Sequence, residues 1–467
     1  MNTPAAGTPP RALIPTLMFI ALVVAAVGSL GAPLITSVAT TLDVSLASAQ
    51  WTLTITLFTG AIAGPVLGRL GAGPHRRTTI LITLAVVVAG SVLTVLPLPF
   101  GWLLVGRAAQ GTGLGLTALM MGVARDHLPD HRASSTIALL SVASTIGIGI
   151  GYPLAGLLTE IGGLRTAYGL GVLVTIIAFA AALRTIPSPP PGRPARVDIP
   201  GALLLAAALF LVLFLASQTH LWTEHLPLAA LLALAAAVLL AVWVIVERRT
   251  AAPLVDVRLL AHPAVAGANV AMFVGGVGMY LLLTLITRYA QTPLSAGYGF
   301  GLTVFVAGLV LVPFSALGFA AGKLTPHLAR RLGAPLTLAA GAAVVLAGFV
   351  VFAAARSNIA ELLVAMAVLG FGVGSFSSAM PGVILAVTDP EETSSAMSVN
   401  QVVRSVGFSL GSAVGGLVLA AGTTDTFPID GAYTIASCIG AAIMVVTVIT
   451  CVALHRRVPV ASRAQST

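Results

Sequence analysis

The chain runs to 467 residues, of which 58% are hydrophobic and only 8% charged. Soluble domains carry about 25% charged residues, so this composition cannot cover a water-exposed surface. A soluble enzyme, a disordered chain and a disulfide scaffold are excluded, which leaves a polytopic membrane protein. The net charge of +9 would suit nucleic acid, but the basic residues sit where membrane-orienting charges belong, as their positions show.

A helix crossing about 30 Å of hydrocarbon needs about 20 mainly apolar residues. Taken in chain order, such stretches fall near 13–38, 50–70, 78–98, 102–124, 134–158, 164–184 and 199–217. A second set falls near 225–247, 263–287, 298–322, 334–355, 358–388, 393–421 and 431–454, which makes fourteen. The first exceeds a signal-peptide core of about 7–15 residues, so a retained first span is expected. The least distinct boundary lies between the two spans that flank His220 to His225. Cys438 and Cys451 share the last span, so no disulfide framework is implied. The longest polar interruption, Ile186 to Asp198, is proline-dense and reads as an extended linker. No soluble segment is large enough to be catalytic, and no cofactor or metal site is expected.

Fourteen spans put both termini on one side, and the basic residues choose which. Of the 23 lysines and arginines, 18 fall on the terminal side, from Arg11 through Arg76 and Arg77 to Arg463. Only Arg165, Arg288 and Arg356 fall in the opposite loops, and Arg107 and Arg404 lie inside spans. Both termini are therefore expected in the cytoplasm of a bacterial inner membrane.

The sequence also repeats. Gly68-Arg-Leu70 with Arg76-Arg77 recurs as Gly322-Lys-Leu324 with Arg330-Arg331, displaced by 254 residues. Leu103-Leu-Val105 with Gly111, Gly113 and Gly115 recurs at Leu362-Leu-Val364 with Gly370, Gly372 and Gly374, displaced by 259. Ser134-Ser135 with Gly147, Gly151 and Gly156 recurs at Ser394-Ser395 with Gly407, Gly411 and Gly416, displaced by 260. Six helices thus repeat in parallel, with two inserted between them. The boundaries implied are a first half over 1–186, a linker and inserted pair over 187–262, a second half over 263–455, and a tail over 456–467.

Four segments carry a resemblance. Gly68-Arg-Leu-Gly-Ala-Gly-Pro-His-Arg-Arg77 resembles the loop between spans 2 and 3 of the major facilitator superfamily. Leu104 to Gly115 resembles that family's fourth-span motif, with Arg107, Gln110 and Gly111 at matching positions. Gly147, Gly151, Pro153 and Gly156 resemble the fifth-span motif associated with antiporters. Val197 to Ala202, Glu247-Arg-Arg249 and Pro253 to Arg258 look like the joints around the extra helix pair of the fourteen-span drug:proton antiporters. The resemblance covers essentially the whole chain. It implies an all-α major facilitator fold of two six-helix repeats plus two inserted helices, and efflux of antibiotics or other drugs in exchange for protons. It also implies coupling or gating roles for Arg107, Gln110, Arg76, Arg77, Gly151 and Pro153. The chain departs from the pattern at Ala72, where the loop motif usually has aspartate, and at His75, usually glycine. The first span also lacks the aspartate that those antiporters usually carry.

The residues themselves leave some roles open. The Gly-x-Gly-x-Gly runs lie in apolar helices with no preceding strand, so nucleotide binding fails. The Gly60, Gly64, Gly68 spacing suits close helix packing or a hinge equally. Arg107 is either a coupling residue, by the resemblance, or a donor to backbone carbonyls of a neighbouring helix. All fourteen carboxylates fall in loops or near span ends, with Asp43, Asp126 and Glu361 the remaining candidates for titration. An arginine inside a bilayer costs roughly 2.5–3.5 kcal/mol on insertion scales, so Arg404, near mid-span, is expected to face a cavity or to pack helices. With Asn400, Gln401, Asn269 and Tyr280 it forms the expected substrate patch; Tyr152 and Gln110 could line or pack. A cation entering such a cavity would need a carboxylate there, and none is available. The expected activity is export of a neutral or anionic hydrophobic small molecule by a monomer. Uptake of a metabolite, or a non-transporting scaffold or sensor, is the alternative. The partners are that substrate, protons and the lipid bilayer, with no nucleic acid.

Overall fold

The computed structural model describes residues 12–71, 73–188, 198–250, 253–255, 257–389, 392–423 and 427–457. Ala72, most of the proline-rich linker, Arg11, Arg193, Arg196, Asp256, Glu391, Asp425 and the tail beyond Arg457 lie outside them. The first seven helices are α1 (Leu13–Ser29), α2 (Gly31–Leu42), α3 (Leu46–Leu70), α4 (Arg76–Val95), α5 (Phe100–Thr112), α6 (Leu116–His127) and α7 (Asp130–Thr185). Then follow α8 (Ile199–Ser217), α9 (Thr219–Glu224), α10 (Leu226–Arg249) and α11 (Val257–Ala261). The last seven are α12 (Pro263–Gln291), α13 (Val304–Leu309), α14 (Val312–Leu332), α15 (Ala334–Ala354), α16 (Ile359–Ile384), α17 (Thr393–Ala421) and α18 (Asp430–Arg457).

Among the described residues, ten helices are long and apolar enough to cross a bilayer, or eleven if the bent pair α1–α2 counts as one span. The difference from the fourteen apolar stretches has local causes. A 3-10 turn at Gly113–Gly115 divides α5 from α6. Gly162 and Gly163, the latter at φ 74°, break the 56-residue α7 into two arms. The ten do not include α8, an apolar helix of 19 residues. α1 and α2 meet at a 45° bend, at Gly28, Gly31 and Pro33, where missing side chains and a missing N–H weaken the helical ladder.

Helices α1 to α7 pack on one another, as do α12 and α14 to α18, and the two groups meet along two seams. One seam joins α3 and α6 to α17; the other joins α7 to α13, α14 and α16. α8 and α10 form a hairpin, with α8 laid on α3 and α17. The repeated residues make repeated contacts. A Cβ on Gly115 would lie 3.1 Å from Gly64 Cα, and one on Gly374 would lie 2.7 Å from Gly318 Cα. Gly113 faces Val87 as Gly372 faces Val345. Small residues at these crossings let backbones touch, which is how helices gain van der Waals packing in lipid. Gly374→Ala would drive a Cβ into the Gly318 backbone, and overpacking of this kind costs about 1–3 kcal/mol. A lowered thermal unfolding midpoint is expected for it, and none for Gly101→Ala, whose Cβ would meet nothing within 4 Å.

Leu13, Leu128, Ala133 and Ile186 belong to an extended apolar core that runs through both helix groups; the face at which the chain enters α1, with the ends of α3 and α6 and the start of α17, is the terminal face. Ala49, Leu103, Leu164 and Tyr168 share a separate cluster at the opposite face.

Candidate functional site

Between the two helix groups lies a cavity of about 190 Å³. Its walls come from α1, α3, α6, α7, α8, α12 and α17, and it runs from Gly64 and Ser398 toward Gln50 and Ser412, away from the terminal face. Arg404 is the one charged side chain among its described lining residues, and none of them is a carboxylate. The guanidinium of Arg404 sits 5.8 Å from the Phe408 ring centroid. Phe408 in turn stacks on Tyr280 at 5.1 Å. Arg404 also donates a long 3.4 Å hydrogen bond across the seam to the Ser141 carbonyl on α7. The cation is thus braced on an aromatic stack and leans on the other helix group, a placement that holds a charge at a cavity wall.

Gln401, Arg404, Tyr280 and Tyr152 come together on this wall. Asn400 and Asn269 do not line it. Asn400 is buried, and its amide donates to Asn269 Oδ1 at 3.0 Å, joining α17 to α12 behind the cavity. Phe408 follows Arg404 by one helical turn and was legible only as an apolar residue, because its value lies in the stack it makes.

Arg107 is fully buried. Its guanidinium donates to the carbonyls of Val27 (2.9 Å), Gly28 (3.0 Å) and Thr52 (3.1 Å), and to Gln110 Oε1 (2.7 Å). Gln110 passes the network on to Ser91 Oγ at 3.1 Å. The bend after α1 strips carbonyls of their helical donors, and Arg107 supplies them. Gly151 lies against Ser29 and Ala26 of α1, and Pro153 packs on Gly308 of α13.

The basic loop residues act within the first helix group. Arg76 is buried, pairs with Asp126 and donates to the Gly71 carbonyl at 2.6 Å. Arg77 donates to the Leu183 carbonyl at 2.9 Å. The side chains that tie the two groups at the terminal face are others. Arg69 pairs with Glu392 at 3.1 Å, and Arg125 donates to Thr393 Oγ1 (2.7 Å) and the Thr388 carbonyl (3.0 Å). Nothing in sequence pointed to them, since these partners are 263 to 323 residues apart. Of the carboxylates at span ends, Asp126 is ion-paired, Glu361 completes a capping box with Asn358, and Asp43 ends α2 in the left-handed region.

Two helix groups related by an internal repeat, with a polar-tipped cavity between them, define a membrane transporter. The Major Facilitator Superfamily profile matches residues 17–412 and 271–466, and the chain belongs to that family of transporters. It is 29% identical over 406 residues to the cephamycin export protein CmcT of Amycolatopsis lactamdurans, covering 83% of this chain and 80% of CmcT. It is 26% identical over 352 residues to the multidrug resistance protein Stp of Mycobacterium tuberculosis, covering 74% of this chain and 64% of Stp, slightly under two thirds of that protein's length. Drug efflux pump JefA of the same organism is 25% identical over 374 residues, with 77% and 72% covered. The structure superposes on the human organic anion transporter MFSD10 (TETRAN) with a TM-score of 0.64, 14% identity, and 95% and 100% of the two chains covered. That likeness concerns the fold.

Proposed function

We propose that this transporter exports a hydrophobic neutral or anionic small molecule, an antibiotic or secondary metabolite, from the bacterial cytoplasm. The observation that carries the reading is the cavity wall itself: one arginine on an aromatic stack, and no carboxylate among the described lining residues. In a low-dielectric cavity such a wall attracts acceptor-rich or anionic groups and repels cations. The direction of transport is drawn from the relatives named for export and efflux. Arg404, Gln401 and Tyr280 would touch the substrate, with Asn400 and Asn269 supporting their helices from behind. Protons are the proposed counter-ion, and a monomer the proposed unit. The fourteen-span topology with cytoplasmic termini is part of the proposal and rests on the apolar stretches and the basic-residue bias.

The proposed cycle rocks the half over 1–186 against the half over 263–455. The ties at Arg69, Arg125, Glu392 and Thr393 support a state closed at the terminal face. A test follows from the seam. The Cβ position of Gly64 lies 4.0 Å from Ser398 Cβ, within the range a disulfide bridges. With Cys438 and Cys451 replaced by serine, the Gly64→Cys/Ser398→Cys pair is expected to oxidise readily, to stop transport, and to recover on reduction. Transport that continues with the bond formed would exclude rocking at this seam. The cargo is tested by a susceptibility panel in an efflux-deficient host, contrasting lipophilic cations with neutral and anionic antibiotics. Protection confined to cations would overturn the cavity reading.

A further inference from the structure

The central cavity has one thin wall. On α8, Leu213 lines the cavity beside Leu53 and Leu57 of α3 and Val402 of α17. It is 5% exposed, whereas Phe210, less than one turn earlier on the same helix, is 36% exposed. Ala207 and Leu203 continue that exposed stripe, which in a membrane meets hydrocarbon. Where α8 lies on α3 and α17, a single helix therefore stands between the cavity and the bilayer. The crevice between α3 and α8 is filled by rings. Phe210 meets Phe58 edge-on at 5.2 Å between centroids, and stacks on Trp51 at 6.3 Å and on Phe214 at 5.9 Å. Phe214 in turn reaches Trp51 at 6.1 Å. Phe58 follows the cavity residue Leu57, and Trp51 follows Gln50, another lining residue. The rings thus begin at the bilayer, at Phe210, and end beside the cavity wall.

We propose that this ring cluster is a lateral entry site, through which a hydrophobic molecule dissolved in the bilayer reaches the central cavity. The ligand class follows from the walls. Aromatic faces and leucines bind apolar or aromatic bodies, and they give a buried charge nothing to pair with. Cargo of this kind concentrates in hydrocarbon, so a path that avoids water spares its apolar surface a return to water. Opening the crevice parts ring faces, and lipid chains as apolar as leucine replace the lost contacts. None of the three ion pairs among the described residues involves α8. At the inner end Leu213 delivers the molecule to the wall that holds Arg404. For its cargo the proposal rests on the export reading, but the opening itself is testable with no cargo present.

Thiol labelling reads the opening. The full-length protein is reconstituted into liposomes with Cys438 and Cys451 replaced by serine and Leu213→Cys introduced. Pyrenyl maleimide, which partitions into the bilayer, reports arrival through lipid; the charged sulfonatoethyl methanethiosulfonate reports arrival through water. Phe58→Ala removes one ring pair and should quicken pyrenyl maleimide labelling about two- to tenfold, the equilibrium equivalent of that pair. Phe210→Ala removes three pairs and should quicken it further. The sulfonate rate should stay the same in both. A pyrenyl maleimide rate indifferent to both substitutions would overturn the proposal. So would an equal gain with the two reagents, which means general loosening of the bundle. Passage is read in an efflux-deficient host. The Phe58→Cys/Phe210→Cys pair, bridged by a short bis-methanethiosulfonate, should lose protection against bilayer-soluble compounds that the parent extrudes, and regain it on reduction. Protection that persists with the bridge in place would exclude this entry route. A parent that protects against no compound would instead sink the export reading, and the labelling rates would still decide the opening.

Discussion

Replacing Arg404 with alanine is expected to abolish protection against neutral and anionic compounds in an efflux-deficient host, at membrane levels matched to the parent. A hydrogen bond to a charged group contributes about 1.5–3 kcal/mol, so losing the guanidinium should weaken binding by roughly ten- to a hundredfold. The variant should still fold, because Arg404 contributes one long hydrogen bond to the seam, at 3.4 Å, and a ring contact. Arg404→Lys keeps a point charge but loses the planar fork that lies over Phe408, and intermediate protection is expected. Phe408→Ala should resemble Arg404→Ala in direction and be smaller, since it removes the platform and not the charge. Unchanged protection in Arg404→Ala would remove this arginine from the binding site.

Arg107→Leu is expected to fail in a different way, by destabilising the first helix group. It would remove the guanidinium that the carbonyls of Val27, Gly28 and Thr52 and the side chain of Gln110 accept from; Val27 keeps the Leu30 N–H and Thr52 the Thr56 hydroxyl, so the Gly28 carbonyl and Gln110 Oε1 are left most exposed to the loss. Each buried polar group so orphaned costs about 1–3 kcal/mol, and in the bilayer no water is at hand to replace the donor. The thermal unfolding midpoint in detergent should fall by many degrees, with loss of monodisperse protein. Arg107→Lys supplies one compact donor for acceptors spread over α1 and α3, so only part of the stability should return. A variant with an unaltered midpoint would show that the carbonyls find other partners. If stability falls while the pH dependence of transport in the surviving protein is unchanged, the residue holds the bend and does not move protons.

The contrast between these two arginines was only half legible in sequence. Both stand out, because a charge inside a twenty-residue apolar stretch demands a reason. Which reason applies depends on whether the neighbouring backbone has carbonyls to spare. Arg107 meets the break between α1 and α2, where it does. Arg404 meets an aromatic stack and open space. Asn400 shows the same limit. One turn from Arg404 on the sequence wheel, it still turns away to Asn269, because an amide buried between two helices is satisfied first by another amide within reach.

The ties across the terminal face were invisible for a related reason. Arg69 and Arg125 read as two more basic residues in a basic loop set. Their partners, Glu392, Thr388 and Thr393, belong to the other half of the chain. Likewise Trp51, Phe58 and Phe210 read as ordinary span residues, and only the docked hairpin brings their rings together.

What the sequence determined by itself is whatever follows from solvent and periodicity. Lipid requires long apolar helices with internally satisfied backbones, so composition and run length alone specify a helical membrane protein. Duplication leaves equal spacings, so the repeated glycines announced two related helix groups, and those glycines do meet equivalent partners in each. What the tertiary structure decided is where polar atoms find partners. A buried hydrogen bond or ion pair is fixed by which distant helix lies within about 3 Å. That proximity is a product of packing the whole bundle and is written in no local stretch of the chain.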